Sequence, residues 1–205
     1  FQRRFVPFSP PDSTQSTHEA VTSPASAPLT FQLAEEVGRF FDDSSLCPPG
    51  QQPALVLLVG GVATGKTTLR REQYACGHIV VDAAEVFLNL SRGGIYDYPS
   101  FLEAPMNVVG EIVARQAIAE RRSIVTELTG RRPEAIRQLI DAMTALDYRV
   151  QVLGVTCGPE EAVRRNLARD VDCISAYYAE EHHLPWLLAA AGIGYGGNPV
   201  QETDE

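Results

Sequence analysis

The chain carries, at residues 54–68, the sequence Ala54-Leu55-Val56-Leu57-Leu58-Val59-Gly60-Gly61-Val62-Ala63-Thr64-Gly65-Lys66-Thr67-Thr68. Its apolar first part is typical of a buried β-strand, and the part from Gly60 to Thr67 matches the P-loop pattern G-x-x-x-x-G-K-[ST]. In this pattern the glycines let the backbone point its N–H groups at a phosphate chain, the lysine adds a cation and the hydroxyl binds Mg²⁺. The residues that follow suit a helix start, so the sequence predicts a strand, a phosphate-binding loop and a helix.

This loop defines the donor half of a predicted site for ATP and Mg²⁺. The expected nucleotide-binding residues are Gly60, Gly61, Val62, Ala63, Thr64, Gly65, Lys66, Thr67 and Thr68. Within that set we expect Lys66 to contact the β- and γ-phosphates and Thr67 to bind the metal ion.

Three more β-branched apolar runs follow, separated by segments whose apolar residues recur with helical spacing. The predicted strands cover residues 78–82, 123–126 and 148–155, and the predicted helices cover residues 104–120, 134–146 and 159–169. Alternation of strands and helices is typical of α/β proteins. We therefore predict a P-loop kinase fold, with a parallel sheet of about four to five strands and helices on both faces.

Ligands of such sheets bind beyond the carboxyl ends of the strands, and several charged residues are expected there. Asp82 and Glu85 follow the second predicted strand, and either could accept the proton of an acceptor hydroxyl. Arg165 and Arg169 lie on the helix after the fourth strand, where either could stabilise the charge of a transferred phosphoryl group. The alternative for both arginines is a solvated helix face. Together with Lys66, these four residues are the predicted catalytic groups.

The stretch from Ala54 to about Arg169 resembles the zeta-toxin family of P-loop kinases. Four segments carry the resemblance, in order along the chain. They are the P-loop followed by Leu69-Arg70, then Val81-Asp82-Ala83-Ala84-Glu85-Val86-Phe87, Tyr98-Pro99-Ser100-Phe101 and Val125-Thr126-Glu127-Leu128-Thr129-Gly130-Arg131. The last segment is similar to the family's V-I-E-G-T-x-R, and the second stands in place of its apolar D-x-D-x-F/R.

The resemblance implies that ATP phosphorylates the sugar 3′-hydroxyl of UDP-N-acetylglucosamine. It also implies that Glu127, Thr129 and Arg131 help to hold this acceptor. Glu85 matches the second aspartate of the family motif and Asp82 matches the first, so both stay candidates for the base. A separate small helical antitoxin over the ATP site is the protein partner that the resemblance implies.

Other functions stay open at this point. The segment Asp82-Ala83-Ala84-Glu85 departs from the family's acid motif, which would suit a nucleotide-binding regulatory or interaction module that has lost catalysis. Leu128 in place of a common glycine and an insertion at residues 90–95 would suit a kinase for another nucleotide, sugar or small metabolite. A P-loop hydrolase is less well supported because the sequence contains no water-positioning switch motif.

The composition suits one globular domain with flanking tails. Residues 1–29 are rich in Ser, Thr and Pro and are expected to be a disordered leader, residues 30–195 the kinase domain and residues 196–205 a flexible acidic tail. The net charge of −9 argues against nucleic acid as a partner, and no apolar run approaches the roughly 20 residues that cross a bilayer. Four cysteines without metal-binding spacing suit a reduced, cytoplasmic setting.

Two more helices complete the predicted elements, an amphipathic helix over residues 31–42 and a last helix over about residues 173–191. On the last helix the adjacent His182 and His183 point to different faces. That arrangement favours packed or surface side chains over two ligands of one metal ion.

Overall fold

The computed structural model describes residues 32–91, 102–168 and 182–194. Its strands are β1 Ala54–Val59, β2 Ile79–Val80, β3 Ile124–Leu128 and β4 Arg149–Gly154. They form one four-stranded sheet in the order β2-β3-β1-β4, with every pairing parallel. The predicted α/β class with a parallel sheet is confirmed. The predicted leader, the acidic tail, Arg169 and the segment Tyr98-Pro99-Ser100-Phe101 lie outside the described residues.

Seven helices are present in the described ranges, together with a short 3-10 turn at Asp43–Ser45. The helices are α1 Leu33–Gly38, α2 Lys66–Gln73, α3 Ala83–Ser91, α4 Glu103–Ala119, α5 Pro133–Ala145, α6 Pro159–Leu167 and α7 His183–Ala190. Helix α1 is shorter than predicted because it ends at Gly38, a poor helix former, after which Asp42 caps the 3-10 turn by accepting the N–H of Ser45. Helix α3 is an addition to the predicted elements.

The sheet separates two apolar clusters, which is why β1 is apolar at every position. Leu55 and Leu57 face the larger cluster, and Val56 and Leu58 face the smaller one. Side chains from α1, α3, α4, α5 and α7 contribute to the larger cluster, whereas α2 covers the other face with Leu69. Each fully buried leucine contributes about 1.5–3 kcal/mol to folding. The expected placement of helices on both faces is therefore observed.

The register of the parallel strands brings their carboxyl ends to one edge of the sheet. Val59 of β1 is paired with Leu128 of β3 and with Gly154 of β4. The next residues continue this alignment, since the N–H of Gly60 donates to Leu128 at 3.0 Å and the N–H of Val155 donates to Val59 at 2.8 Å. The loops that follow β1, β3 and β4 consequently start side by side.

Helix α7 packs against α4 and α5 on the larger cluster. Its Trp186 ring lies so close to Gly110 of α4 that a β-carbon there would be 2.2 Å from the ring. The indole Nε1 of Trp186 donates to the side chain of Asn107, 3.1 Å away. The absence of a side chain at Gly110 therefore leaves the space that the indole ring occupies.

In the described part of the chain, none of the helices combines the length and apolarity required to cross a membrane.

Candidate active site

The P-loop connects β1 to α2 as the sequence predicts, and its backbone explains two of its glycines. A β-carbon at Gly60 would lie 2.1 Å from the carbonyl oxygen of Val155, so a larger residue cannot fit. Gly65 precedes α2 with a φ of 103°, a conformation that favours glycine. The loop therefore runs close against β4 and ends at a helix N-terminus, whose N–H groups and dipole attract phosphate.

Lys66 is the first residue of α2 and is held within the loop. Its Nζ donates to the carbonyl oxygens of Gly60 at 2.7 Å and Gly61 at 2.8 Å. Thr64 adds a bond from its hydroxyl to the same Gly61 carbonyl at 2.9 Å. These contacts hold the ammonium group at the start of the loop, so the Lys66 side chain spans the loop from α2 back to the end of β1.

Glu127 brings a carboxylate from β3 to helix α2. The pairing of β3 with β1 places Glu127 opposite Leu58, just before the loop begins. Its Oε2 accepts from the hydroxyl of Thr67 at 2.8 Å, and its Oε1 accepts from Nε of Arg70 at 2.6 Å. The residue is largely buried. The structure thus places the carboxylate of this predicted acceptor-binding residue against the phosphate-binding helix.

Arg70 joins two carboxylates that are far apart in the sequence. Its Nε pairs with Glu127, and its Nη2 pairs with Glu85 of α3. Burial acts to lower the pKa of Arg70, but the two glutamates outweigh it and raise the pKa above the usual value. The sequence motifs by themselves give Arg70 no separate role. The missed signal is its spacing, because residues 66 and 70 share one helix face.

Asp82 and Glu85 stand at the start of α3 and differ in their surroundings. Asp82 Oδ1 accepts the backbone N–H groups of Ala84 at 2.8 Å and Glu85 at 3.3 Å, the arrangement of a helix N-cap. Asp82 is buried, while the side chain of Glu85 is 27% exposed beside Arg70. Strand β2 ends at Val80, so these acids begin a helix two residues beyond the strand rather than closing it.

Arg165 extends from α6 to the P-loop. Its Nη1 lies 3.5 Å from the position that a β-carbon on Gly65 would occupy, and its Nε donates to Glu161 at 2.6 Å. Glu161 also accepts two bonds from Arg164, and the two arginines lower the pKa of Glu161 to about 2. The carboxylate therefore stays ionised at any ordinary assay pH.

A pocket open to solvent lies beyond the end of β3. It is lined by Leu128, Thr129, Gly130, Arg131, Arg132, Ile136 and Leu184. The lining thus includes two of the residues predicted to bind the acceptor, Thr129 and Arg131, together with apolar side chains of α5 and α7. Gly130, with a φ of 84°, turns the chain between them.

His183 of α7 is buried behind Glu127. Its Nε2 lies 2.7 Å from the Glu127 carbonyl oxygen, while its neighbour His182 is half-buried. The described residues include no group of three or more His, Cys, Asp or Glu side chains that could hold a metal ion. Mg²⁺ at kinase sites needs only one or two protein oxygens in addition to the phosphates. The hydroxyl of Thr67 and the carboxylate of Glu127 are hard oxygen donors that fit this requirement.

The model of the zeta toxin family matches residues 38–178, which is more than half of the chain. The chain belongs to the zeta toxin family. This zeta toxin relative has the P-loop kinase fold, and family membership implies a kinase that uses ATP. Neither the comparison with curated proteins nor the comparison with solved structures gives a significant match. The family match ends before α7, so His183 and Leu184 lie outside it.

Proposed function

We propose that this chain transfers the γ-phosphate of ATP to a hydroxyl group of a small molecule, and that the acceptor is a nucleotide sugar such as UDP-N-acetylglucosamine. The observation that carries the proposal is a continuous series of hydrogen bonds and ion pairs. It runs from Thr67 through Glu127 and Arg70 to Glu85. This series fixes a carboxylate at a defined place relative to the phosphate-binding loop, which is what phosphoryl transfer to a hydroxyl requires.

On the donor side, Lys66 and the N–H groups of the loop would hold the β- and γ-phosphates. Thr67, backed by Glu127, would bind Mg²⁺, which neutralises phosphate charge when it is present. Arg165 would approach the γ-phosphate from α6, since its guanidinium group already lies beside Gly65. Lys66 and Arg165 would thus contribute positive charge from α2 and from α6, which stabilises the negative charge of the transferred phosphoryl group.

We assign the general base to Glu85. Its carboxylate is held by Arg70 and is more accessible than that of Asp82. Asp82 uses Oδ1 to accept two backbone N–H groups at the start of α3, so its role is to cap that helix. A general base must reach the hydroxyl group of the acceptor substrate. The greater accessibility of the Glu85 carboxylate therefore favours it as the base.

The pocket beyond β3 is proposed to hold part of the acceptor. Thr129 and Arg131 offer a hydroxyl and a cation, and Ile136 with Leu184 offer an apolar surface. A nucleotide sugar carries groups of both kinds, with a diphosphate for the cation and an acetyl methyl group for the apolar surface. This combination supports that class of acceptor over a wholly charged metabolite.

The direct test is to incubate the protein with ATP, Mg²⁺ and a panel of nucleotide sugars and other hydroxyl-bearing metabolites. We expect ADP and an acceptor heavier by one phosphoryl group, detected by mass spectrometry. Lys66→Ala should lower the rate by about 10² or more because it removes a charge that contacts the transferred group. Thermal unfolding of the variant controls for folding. A folded, ATP-binding protein that gives no acceptor-dependent ADP with any compound would refute the proposal.

The base assignment has its own test in two substitutions. Glu85→Gln should lower kcat by about 10²-fold or more, since it removes the proton acceptor. Asp82→Asn should stay close to the wild-type rate because asparagine also caps helices. The reverse ranking of the two variants would move the base to Asp82.

A second candidate is a nucleotide-binding regulatory or interaction module without catalysis. The observation that favours it is the ion pair of Glu85 with the buried Arg70, which engages the proposed base. In that case ATP would bind with little turnover, and Glu85→Gln would leave the biological effect unchanged. For a kinase, the same substitution should lower the turnover and weaken the biological effect together.

The proposal also includes a partner and a place of action. A separate small antitoxin would bind over the ATP site and restrain the kinase, and the reaction would take place in the cytoplasm, where ATP is present. Added ATP should then compete with the antitoxin for this chain. Antitoxin binding that is indifferent to ATP would place the partner on another surface.

A further inference from the structure

Helix α7 brings a buried histidine to the back of the candidate site. His183 is 1% exposed, and its Nε2 lies 2.7 Å from the carbonyl oxygen of Glu127. Because a carbonyl oxygen can only accept a hydrogen bond, Nε2 carries a proton and its N–H donates to the Glu127 carbonyl oxygen. The other ring nitrogen, Nδ1, is buried and has no hydrogen-bond partner among the described residues. The polar contact of the ring is therefore directed at the backbone of Glu127.

Glu127 is the residue through which this contact reaches the site. Its carboxylate accepts from Thr67 and Arg70, and its carbonyl accepts from His183. Both ends of one residue are thus held at the same time. A rotation of the Glu127 peptide would move the carboxylate away from the hydroxyl that is proposed to bind the metal ion.

The helix that carries His183 is itself firmly placed. Trp186 fills the space above Gly110 and donates to Asn107, and Leu187 and Leu188 are fully buried. This helix lies beyond residues 38–178, the part that the family model matches. The chain therefore supports a residue of its candidate site with a side chain from a segment that the family model does not cover.

We propose that His183 is a positioning residue for phosphoryl transfer. By donating to the Glu127 carbonyl, it sets the carboxylate that orients Thr67 and Arg70. The proposal rests on the kinase function proposed above. Partners in the outer shell of a metal or phosphate site commonly change activity or metal affinity by about 10- to 100-fold when they are removed.

The test compares His183→Leu, which removes the donor, with His183→Gln, whose side-chain N–H can reach the same carbonyl. Two quantities are measured for each, kcat with the acceptor found for the wild type, and the ratio of ATP affinities with and without Mg²⁺ by calorimetry. We expect His183→Leu to lower kcat by about tenfold, with little change in KM, and to reduce the Mg²⁺-dependent gain in ATP affinity. His183→Gln should restore much of both.

Leu188→Ala is the matched control, because it weakens the packing of the same helix and leaves the imidazole of His183 unchanged. It should lower the melting temperature while leaving kcat and the Mg²⁺ ratio unchanged. Wild-type values for His183→Leu, or equal losses in His183→Leu, His183→Gln and Leu188→Ala, would overturn the proposal. If the wild type binds Mg²⁺ and ATP but phosphorylates nothing, the kinase function fails. The affinity ratio then still decides the role of His183.

Discussion

Lys66 is the only lysine in the chain, although lysine and arginine together number 17. The two residue types suit different tasks here. Arg70 spans two carboxylates with separate nitrogens of its planar group, which a lysine cannot imitate. Lys66 places a compact ammonium group against two carbonyl oxygens of the loop, a contact that suits a point charge better than a planar guanidinium group. The choice of lysine at this position therefore fits the two carbonyl contacts within the loop.

The guanidinium group of Arg165 lies beside Gly65 of the phosphate-binding loop, and substitution tests its part in the reaction. Arg165→Ala should lower kcat by about 10²-fold because it removes a cation beside the phosphate-binding loop. Arg164→Ala is the control, since Arg164 lies on the same helix, is exposed and shares the partner Glu161. It should retain the wild-type rate in the same ADP-release assay. Equal losses in the two variants would show that Glu161 or the helix, rather than the guanidinium group of Arg165, is responsible.

Single residues of the site differ in how well the sequence predicts them. The loop from Gly60 to Thr68 is predictable because its residues have fixed spacing and each has a local task. The pairing of Glu127 with Thr67 and Arg70 is not, because it depends on which strand lies beside β1. His183 was expected to be packed or at the surface, and its contact with Glu127 arises only when α7 docks on the sheet.

Helices α4 and α7 pack closely where Gly110 meets the ring of Trp186, and a substitution at Gly110 tests this contact. Gly110→Ala would improve the intrinsic helix propensity of α4, yet its β-carbon would overlap the ring of Trp186. The overlap should dominate and reduce the free energy of unfolding by about 1–3 kcal/mol in denaturant titrations.

Gly38→Ala at the end of α1 is the matched control, because a β-carbon there meets nothing within 4 Å. It should be neutral or slightly stabilising. Adding Trp186→Ala to Gly110→Ala should cost less than the sum of the single losses, since the overlap is then absent. Additive losses would contradict a direct clash between these two residues.

Among the elements, those with strong periodicity were predicted and those set by tertiary contacts were not. Strand β1 and helices α4 and α5 carry their apolar pattern in the sequence, and their boundaries differ by only a few residues. Strand β2 is shorter than predicted, since Asp82 starts a helix instead of ending a strand. Helix α3 is an exception, because its buried Val86, Phe87 and Leu90 follow an acidic first turn with helical spacing and could have been recognised in the sequence.

At the scale of the whole molecule, the strand order does most to create the site. With β3 and β4 on either side of β1, the loops that follow these three strands begin together. The P-loop, Glu127 with the pocket beyond it, and Arg165 come from these three connections, and α3 adds Glu85 through Arg70. Parallel pairing was predictable from the alternation of strands and helices, but this order was not, because the apolar pattern of a strand does not identify the strands that lie beside it.

Alkaline unfolding tests how the whole molecule responds to one buried group, the phenol of Tyr148. Burial raises the pKa of Tyr148 from 10.0 to about 12, and its hydroxyl donates to the carbonyl of Ala117 at 3.3 Å. The unfolded chain releases this proton near pH 10 and the folded chain retains it to about pH 12, so the free energy of unfolding falls as the pH rises through that window. The loss is roughly 2 to 3 kcal/mol.

Tyr148→Phe keeps the ring and lacks the phenolic proton. Denaturant titrations of this variant at both pH values should therefore show a fall in the free energy of unfolding that is smaller by that amount. Equal drops in the two proteins would mean that burial of this phenol does not contribute to the alkaline limit of stability.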